Sequence, residues 1–288
     1  GENATDIAAG ASQMRANATR INAPENAIDI VGTGGDGAHS LNISTAAAII
    51  VAGCNVPVAK HGNKAVSSKS GAADILNEMG INLECNLNLI EKAILKAGIC
   101  FLMAPRHHPA LRHVGPTRVE LGVRTIFNLL GPLSNPALVD KALIGVYDAK
   151  WARPFAEALN LLGTKHAFIV HGDGGLDEVS LSGPTLVQAL DSGNITEFVI
   201  NPSDFGVSCE SIESIKGGDP KYNASKLEEL LSGKTGPYRN IACMNAATAL
   251  VATKNENQLI DAFKRAEHAI DTGAAKSVLN KLVQITNS

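Results

Sequence analysis

Aromatic side chains are scarce in this 288-residue chain: they make up 4% of it, with a single tryptophan. A core so poor in rings has to be assembled from Ala, Val, Ile and Leu, which is usual for helices packed on a parallel sheet. Charge of one sign is not in excess either. With 25 Lys+Arg against 28 Asp+Glu and a formal net charge of −3, there is no global basic field to attract nucleic acid or an anionic membrane. The five cysteines (Cys54, Cys85, Cys100, Cys209 and Cys243) show no C-x-x-C spacing and mostly lie among apolar residues. That pattern fits buried thiols in a reducing, cytoplasmic compartment. No signal-peptide pattern, long apolar run, low-complexity tract or fixed-period repeat is seen, so a soluble protein is expected. What the chain has is apolar content: 45% hydrophobic residues, enough for one large or two modest domains.

Short β-branched runs alternate with alanine-rich helical patterns. Strands are expected at Ala27–Val31, Val56–Lys60, Ile99–Ala104, Lys141–Val146 and Ala167–Val170. Helices are expected at Ser44–Ala52, Leu87–Ala97, Ala152–Leu162, Ser225–Leu231, Ile241–Thr253 and Gln258–Thr272. This alternation predicts an α/β fold with a mostly parallel sheet flanked by helices. Ligands of such sheets lie at the C-terminal ends of strands, where Gly32–Ser40 and His61–Ser70 fall. Two segments break the pattern: an amphipathic helix at Asp6–Ala18 and a helical stretch at His108–Val123. They predict a small helical lobe from residues 1–26 plus 106–124, beside a large α/β domain of 27–105 plus 125–288.

The richest segment runs from Ile30 through Val-Gly-Thr-Gly-Gly-Asp-Gly to Ala48. It leads from a strand through a glycine- and hydroxyl-rich loop into a helix, turning backbone N–H groups toward one spot that suits an anion. Gly32, Gly34 and Gly37 also satisfy the dinucleotide pattern G-x-G-x-x-G, but the context does not. That motif opens its helix within the glycine run and needs an acidic residue roughly 20 positions on. Here the helix is expected only after Asn42, and Gly53–Lys60 carries no carboxylate. Asp36 inside the loop would repel a bare pyrophosphate, and fits if it accepts from a sugar hydroxyl or a loop N–H. No Walker Gly-Lys-Ser/Thr follows, and the run Asn42-Ile-Ser-Thr45 reads as a helix cap.

A second loop, Lys60-His-Gly-Asn-Lys-Ala-Val-Ser-Ser68, gathers lysines, an asparagine and hydroxyls suited to phosphate oxygens. A third, Val170-His-Gly-Asp-Gly-Gly-Leu-Asp-Glu178, sets two carboxylates side by side. Mg²⁺ is usually held by one or two carboxylates plus substrate phosphates. Arg106-His-His-Pro-Ala-Leu-Arg-His113 with Arg118 forms a basic cluster, read as a carboxylate or phosphate site or as a solvated helix face. His107 and His108 are adjacent and cannot both face one metal from a helix, and no Ser/His/Asp set or activated cysteine is evident. Together these residues suggest a phosphorylated sugar and a charged second substrate.

Their order along the whole chain resembles the anthranilate phosphoribosyltransferase family. The matching motifs are Gly32-Thr-Gly-Gly-Asp36, Asn42-Ile-Ser-Thr45, Lys60-His-Gly-Asn63 with Ser67-Ser68, and Ala104-Pro with His108-Pro-Ala and Arg118. Phe127-Asn-x-Leu-Gly-Pro-Leu-x-Asn-Pro136, His171-Gly-x-x-Gly-Leu-Asp-Glu178, Pro202-x-Asp-Phe-Gly206 and Asn245-Ala-Ala247 follow. The resemblance implies a nucleoside phosphorylase/phosphoribosyltransferase-like fold. It also implies phosphoribosyl transfer from phosphoribosyl pyrophosphate to anthranilate, in tryptophan biosynthesis. It places phosphoribosyl pyrophosphate on Gly32, Gly35, Asp36, Ser40, Asn42, Ile43, Ser44 and Thr45. From the second loop it adds Lys60, His61, Gly62, Asn63, Lys64, Ala65, Val66, Ser67, Ser68 and, further on, Ala72. It gives Mg²⁺ to Ser44, Asp177 and Glu178, and anthranilate to Gly32, Asn63, Arg118 and His108. His61 and His108 would line anthranilate's route, with Arg124 a second candidate for its carboxylate. Family members begin with further helices before the segment matching Ala4–Ala18, which complete the small lobe and contribute to a homodimer. A pyrimidine nucleoside phosphorylase-like enzyme and a non-catalytic nucleic-acid-binding relative are the alternatives. The Asp177-Glu178 pair counts against the first and the charge balance against the second.

Overall fold

The computed structural model describes residues 1–64, 70–114, 120 and 123–288. Its central sheet runs β1 (Asp29–Gly32), β4 (Lys141–Gly145), β5 (His166–Gly172), β6 (Thr185–Asp191) and β7 (Asn194–Ile200), in the order β1-β4-β5-β6-β7. A second pair, β2 (Val58–Gly62) and β3 (Ile99–Met103), joins it through the parallel bridge Ile28–Val58. The β1–β4, β4–β5 and β2–β3 pairings are parallel, while β5–β6 and β6–β7 are antiparallel. The α/β expectation of a mostly parallel sheet flanked by helices holds, with an antiparallel hairpin at one edge.

The five expected strands lie within two residues of the observed ones. The hairpin β6–β7 was not anticipated, for reasons of burial. Strand β6 is covered almost throughout and β7 is an exposed edge, so neither shows clean alternation. Its turn, Ser192-Gly193, takes positive φ at both residues (49° and 94°), as a two-residue hairpin requires.

Nine helices of seven or more residues occur among the described residues: α1 (Ala4–Ala16), α2 (Ile43–Gly53), α3 (Ala72–Glu78), α4 (Leu87–Ala97), α5 (Ala152–Leu161), α6 (Pro220–Leu231), α7 (Pro237–Ala252), α8 (Leu259–Asp271) and α9 (Ala274–Thr286). Helices α6 and α7 start four or five residues before the apolar periodicity does, each with proline in its first turn. Helices α3 and α9 were not foreseen. The stretch expected as a helix from His108 begins instead as a 3₁₀ turn, Pro109–His113, after a helical turn at Ala104–His107. Proline supplies no N–H there to continue an α ladder.

Helix α2 fixes the site. It is apolar on every side, with Thr45 and Ala46–Ala52 all buried, because α7, α8 and α9 enclose it against the sheet. Its alanines allow that close approach, and its N-terminus is left pointing at the C-terminal ends of β1 and β2. On the opposite face, Ile7, Ala8 and Ala11 of α1 share a core with Leu129, Leu133, Phe155 and Leu159.

Candidate active site

Strands β1, β4 and β5 each end in glycine, at Gly32, Gly145 and Gly172. The Leu176–Glu178 segment lies across these bare ends. A Cβ on Gly145 would sit 1.5 Å from the Asp177 carbonyl oxygen, one on Gly32 2.4 Å from Asp177 Oδ2, and one on Gly172 2.5 Å from the Glu178 carbonyl oxygen. Only glycine permits this contact. The segment is held at both ends: Gly172 N–H donates to the Leu176 carbonyl (2.8 Å), and Asn245 grips Val179 from α7. Asn245 is fully buried. Its Oδ1 accepts from Val179 N–H (2.9 Å) and its Nδ2 donates to the carbonyls of Val179 (3.0 Å) and Ile241 (2.9 Å).

The acid pair meets the glycine loop and α2. Asp177 Oδ2 accepts from Gly34 N–H at 2.6 Å, and Glu178 Oε1 accepts from Ser44 N–H at 3.0 Å. Burial first, then the charge of Asp36, pushes Asp177 up to about 7. Burial and the charge of Asp177 push Glu178 up to about 8. Two carboxylates so crowded call for a cation. Lys60 supplies one charge: its buried Nζ donates to the Ile30 carbonyl (2.5 Å) and to Ser44 Oγ (3.3 Å). Burial lowers its pKa, while Asp29, Glu178 and Asp177 oppose that shift.

Several expectations are corrected here. Strand β2 runs two residues past its expected end at Lys60, so His61 and Gly62 belong to it rather than to the loop after it. Asn42 precedes α2, but its side chain makes no capping bond. Glu178 takes the Ser44 N–H instead, so the cap arrives from 134 positions away. Asp36 makes a local turn, its Oδ1 accepting from Ala38 N–H (3.1 Å), the loop N–H alternative of the sequence reading. Within the basic cluster, Arg106 and His107 turn to separate partners. Arg106 donates to the Leu83 carbonyl (2.7 Å) and pairs with Glu84, while His107 bonds the Thr19 carbonyl (2.6 Å).

The glycine loop is held in shape from outside. Gly34, Gly35 and Gly37 take positive φ of 68°, 75° and 76°, a conformation that disfavours any side chain. Gly217 N–H donates to the His39 carbonyl (2.8 Å), and Ser40 forms an antiparallel bridge with Lys216. Arg124 lies 3.8 Å over the Tyr147 ring and donates to the Gly35 carbonyl (2.5 Å). On α2, Ile43 is buried in the core, and Thr45 Oγ1 is buried without a partner among the described residues.

On the other side, His61 and His108 meet edge to face with ring centroids 5.2 Å apart. His61 N–H donates to Asp29 Oδ1 (3.0 Å), whose Oδ2 accepts from Asn135 (2.7 Å). Burial drives the His61 pKa down to about 3, so its ring is neutral. Asn63 caps the first turn of α3 through its carbonyl, which accepts from Ala73 N–H (3.2 Å), and Ala72 packs near Gly62. Lys64 is exposed. Ala65, Val66, Ser67, Ser68 and Arg118 lie outside the described residues.

A metal fits this donor set in a particular way. Asp177 and Glu178 each spend one oxygen on an N–H, Asp36 shares a side-chain hydrogen bond with Asp177, and the Ser44 hydroxyl accepts from Lys60 beside them. No cluster of three or more His, Cys, Asp or Glu that could hold a metal occurs among the described residues. Hard oxygens too few for a closed cage suit Mg²⁺ that arrives with phosphate oxygens of a substrate.

A family model described as the glycosyl transferase family, a/b domain, matches residues 24–276. The chain is 53% identical to anthranilate phosphoribosyltransferase of Azospirillum brasilense, over all of its length and 81% of that protein. The chain belongs to the anthranilate phosphoribosyltransferase family. The crystal structure of anthranilate phosphoribosyltransferase from Thermus thermophilus superposes with a TM-score of 0.95 at 39% identity, covering 100% of this chain and 86% of that one. The Saccharomyces cerevisiae anthranilate phosphoribosyltransferase in complex with phosphoribosyl pyrophosphate and Mg gives a TM-score of 0.91 at 33% identity, over 99% of this chain and 80% of that one. These likenesses favour the first of the three readings of the sequence. Sequence reasoning missed the supports of this site: Asn223 and Tyr238, which hold Asn42, and the roles of Asn245 and Tyr147. Asn245 stood in a recognised motif, but nothing local to it signals a clamp on Val179.

Proposed function

We propose that this protein transfers the 5-phosphoribosyl group of phosphoribosyl pyrophosphate to the amine of anthranilate, giving N-(5-phosphoribosyl)anthranilate and pyrophosphate. The observation that carries this reading is the crowded Asp177-Glu178 pair, laid on glycine strand ends beside Lys60 and the N-terminus of α2. Gly32, Gly35, Asp36, Ser40, the Asn42–Thr45 turn, Lys60–Ser68 and Ala72 cradle phosphoribosyl pyrophosphate. Ser44, Asp177 and Glu178 hold Mg²⁺. Gly32, Asn63, His108 and Arg118 receive anthranilate from the lobe of residues 1–26 plus 106–124.

Anthranilate's aniline nitrogen is already neutral near pH 7, so the chain supplies position and charge rather than a strong base. The neutral rings of His61 and His108 offer an aromatic wall for the acceptor. The unpartnered Thr45 hydroxyl and Lys60 face the departing pyrophosphate, where fixed donors act most strongly in a water-poor site. Ser44, Asp177 and Glu178 would hold Mg²⁺ where it would supply positive charge against the charge building on the leaving group. The two walls hold amine and anomeric carbon in line, which replaces a bimolecular encounter by an oriented one.

The reading extends to a homodimer in the cytoplasm. No helix among the described residues is long and apolar enough to cross a membrane. Cys54, Cys85, Cys100 and Cys243 are free and buried, and burial raises their thiols. Anthranilate fluorescence should fall when protein, phosphoribosyl pyrophosphate and Mg²⁺ are combined, and stay constant when any one is omitted or in Asp177→Ala/Glu178→Ala. Fluorescence that persists with the complete mixture refutes the function; full activity in the double variant refutes the metal assignment.

A further inference from the structure

Asn42 stands between the two substrate loops, yet its side chain serves neither the helix it opens nor the glycine loop it closes. Its Nδ2 donates to the Ser70 carbonyl (3.3 Å), at the return of the second loop. Its Oδ1 accepts from Asn223 Nδ2 (2.9 Å), and its carbonyl accepts from the Tyr238 hydroxyl (3.1 Å). Asn223, in α6, is 2% exposed and steadied by Gly218 N–H donating to its Oδ1 (2.8 Å). Tyr238, in the first turn of α7, is 9% exposed. Burying an amide and a phenol is unfavourable unless their partners are well placed. Packing alone would be met by leucine and phenylalanine.

We propose that Asn223 and Tyr238 are positioning residues that set the affinity for the phosphoribosyl substrate. Held by both, Asn42 keeps the N-terminus of α2 and Ser70 at one spacing before any ligand arrives. The inference rests on the phosphoribosyl-transfer reading above. A ligand bridging two loops binds more weakly when it must order them itself. Loss of either contact therefore weakens phosphoribosyl pyrophosphate binding and leaves turnover at saturation in place.

Tyr238→Phe removes one hydroxyl without changing shape. Asn223→Asp keeps its size and its acceptor for Gly218 but withdraws the donor to Asn42. Any amide flip of Asn42 that rescues this contact gives up Ser70. Calorimetric titration with phosphoribosyl pyrophosphate and Mg²⁺, without anthranilate, should show Kd raised about three- to tenfold in each variant. The double variant should fall short of the product of the two effects, since both act through Asn42. KM for phosphoribosyl pyrophosphate should rise in parallel, with kcat and the anthranilate KM within about twofold of the parent. Kd unchanged in Tyr238→Phe, or kcat falling at unchanged Kd, overturns the proposal; Tyr238→Phe alone decides if Asn223→Asp does not fold. Absence of binding by the unaltered protein instead removes the transfer reading, and this inference with it.

Discussion

Gly145→Ala tests the glycine platform most directly. The new Cβ would lie 1.5 Å from the Asp177 carbonyl oxygen and 2.3 Å from its carbon. Ordinary contact for such atoms is about 3.4 Å, so a separation of roughly 2 Å must be found. Strand β4 cannot yield it, because it is paired on both sides, to β1 and β5. Thr33 N–H donates to the Gly145 carbonyl and Val146 N–H to the Val170 carbonyl, both at 2.9 Å. The Leu176–Glu178 segment has to lift instead. That breaks the 2.6 Å bond of Asp177 to Gly34 and the 3.0 Å bond of Glu178 to Ser44. Measured above pH 8, where both carboxyls are ionised, each is a hydrogen bond to a charged group worth about 1.5–3 kcal/mol, so the loss is of order 3–6 kcal/mol. At roughly 2–4 °C per kcal/mol for a chain of this size, Tm should fall by about 10–20 °C in scanning calorimetry. A shift of the acid pair by an ångström or more should also lower turnover at least about a hundredfold. Gly131→Ala is the matched control. A Cβ there meets nothing within 4 Å and the backbone is already helical (φ −51°), so Tm should hold or rise slightly. A Gly145→Ala protein that melts with the parent and keeps its turnover refutes the argument.

Two further outcomes follow from the same geometry. The carboxyls of Asp177, raised to about 7 by burial and the charge of Asp36, and of Glu178, raised to about 8 by burial and the charge of Asp177, hold protons that the unfolded chain gives up. Their contribution is therefore complete below the ordinary carboxylate range and lost as pH rises through 7 to 8. His61, lowered to about 3, acts with the opposite sign, its contribution lost as pH falls below 6.5, and Asp29, raised to about 6, has finished titrating by neutrality. Between pH 7 and 8.5 the acid pair thus dominates: the ligand-free Tm should decline there, and Asp177→Asn/Glu178→Gln should flatten the slope, whereas a flat parent profile contradicts the burial argument. Arg118→Ala should raise the anthranilate KM about tenfold while Arg124→Ala, losing Gly35 and the Tyr147 ring, should mainly raise that for phosphoribosyl pyrophosphate a few fold. The reverse assignment in steady-state kinetics would make Arg124 the carboxylate ligand.

What could be read from the chain divides along the range of the interactions. Leu87–Ala97 and the first-loop glycines are local statements, written in periodicity and in positive φ, and were legible. The Asp177-Glu178 pair could be suspected as metal-holding from its letters. That it rests on Gly32, Gly145 and Gly172 could not, since no local rule relates three strand ends to one turn. The capping rule failed at Asn42 for the same reason: Glu178 supplies the acceptor from far away, and Asn223 and Tyr238 claim the side chain and carbonyl. The strand was ended two residues early, at Lys60, because His61 and Gly62 read as loop, although His61 N–H is held on Asp29 and Lys60 is neutralised inside the sheet by Asp29 and the acid pair.

The glycine platform also divides the protein by how freely it can change. With carboxylates seated directly on backbone, the strand-end half of the site, proposed above to handle the sugar phosphate, tolerates almost no added atom. On the proposed reading the wall that faces it offers side chains, the rings of His61 and His108. Acceptor preference can therefore drift, or be redesigned, in that wall while the sugar-phosphate half stays fixed. A library confined to those positions should yield altered amine acceptors far more often than one aimed at the strand ends.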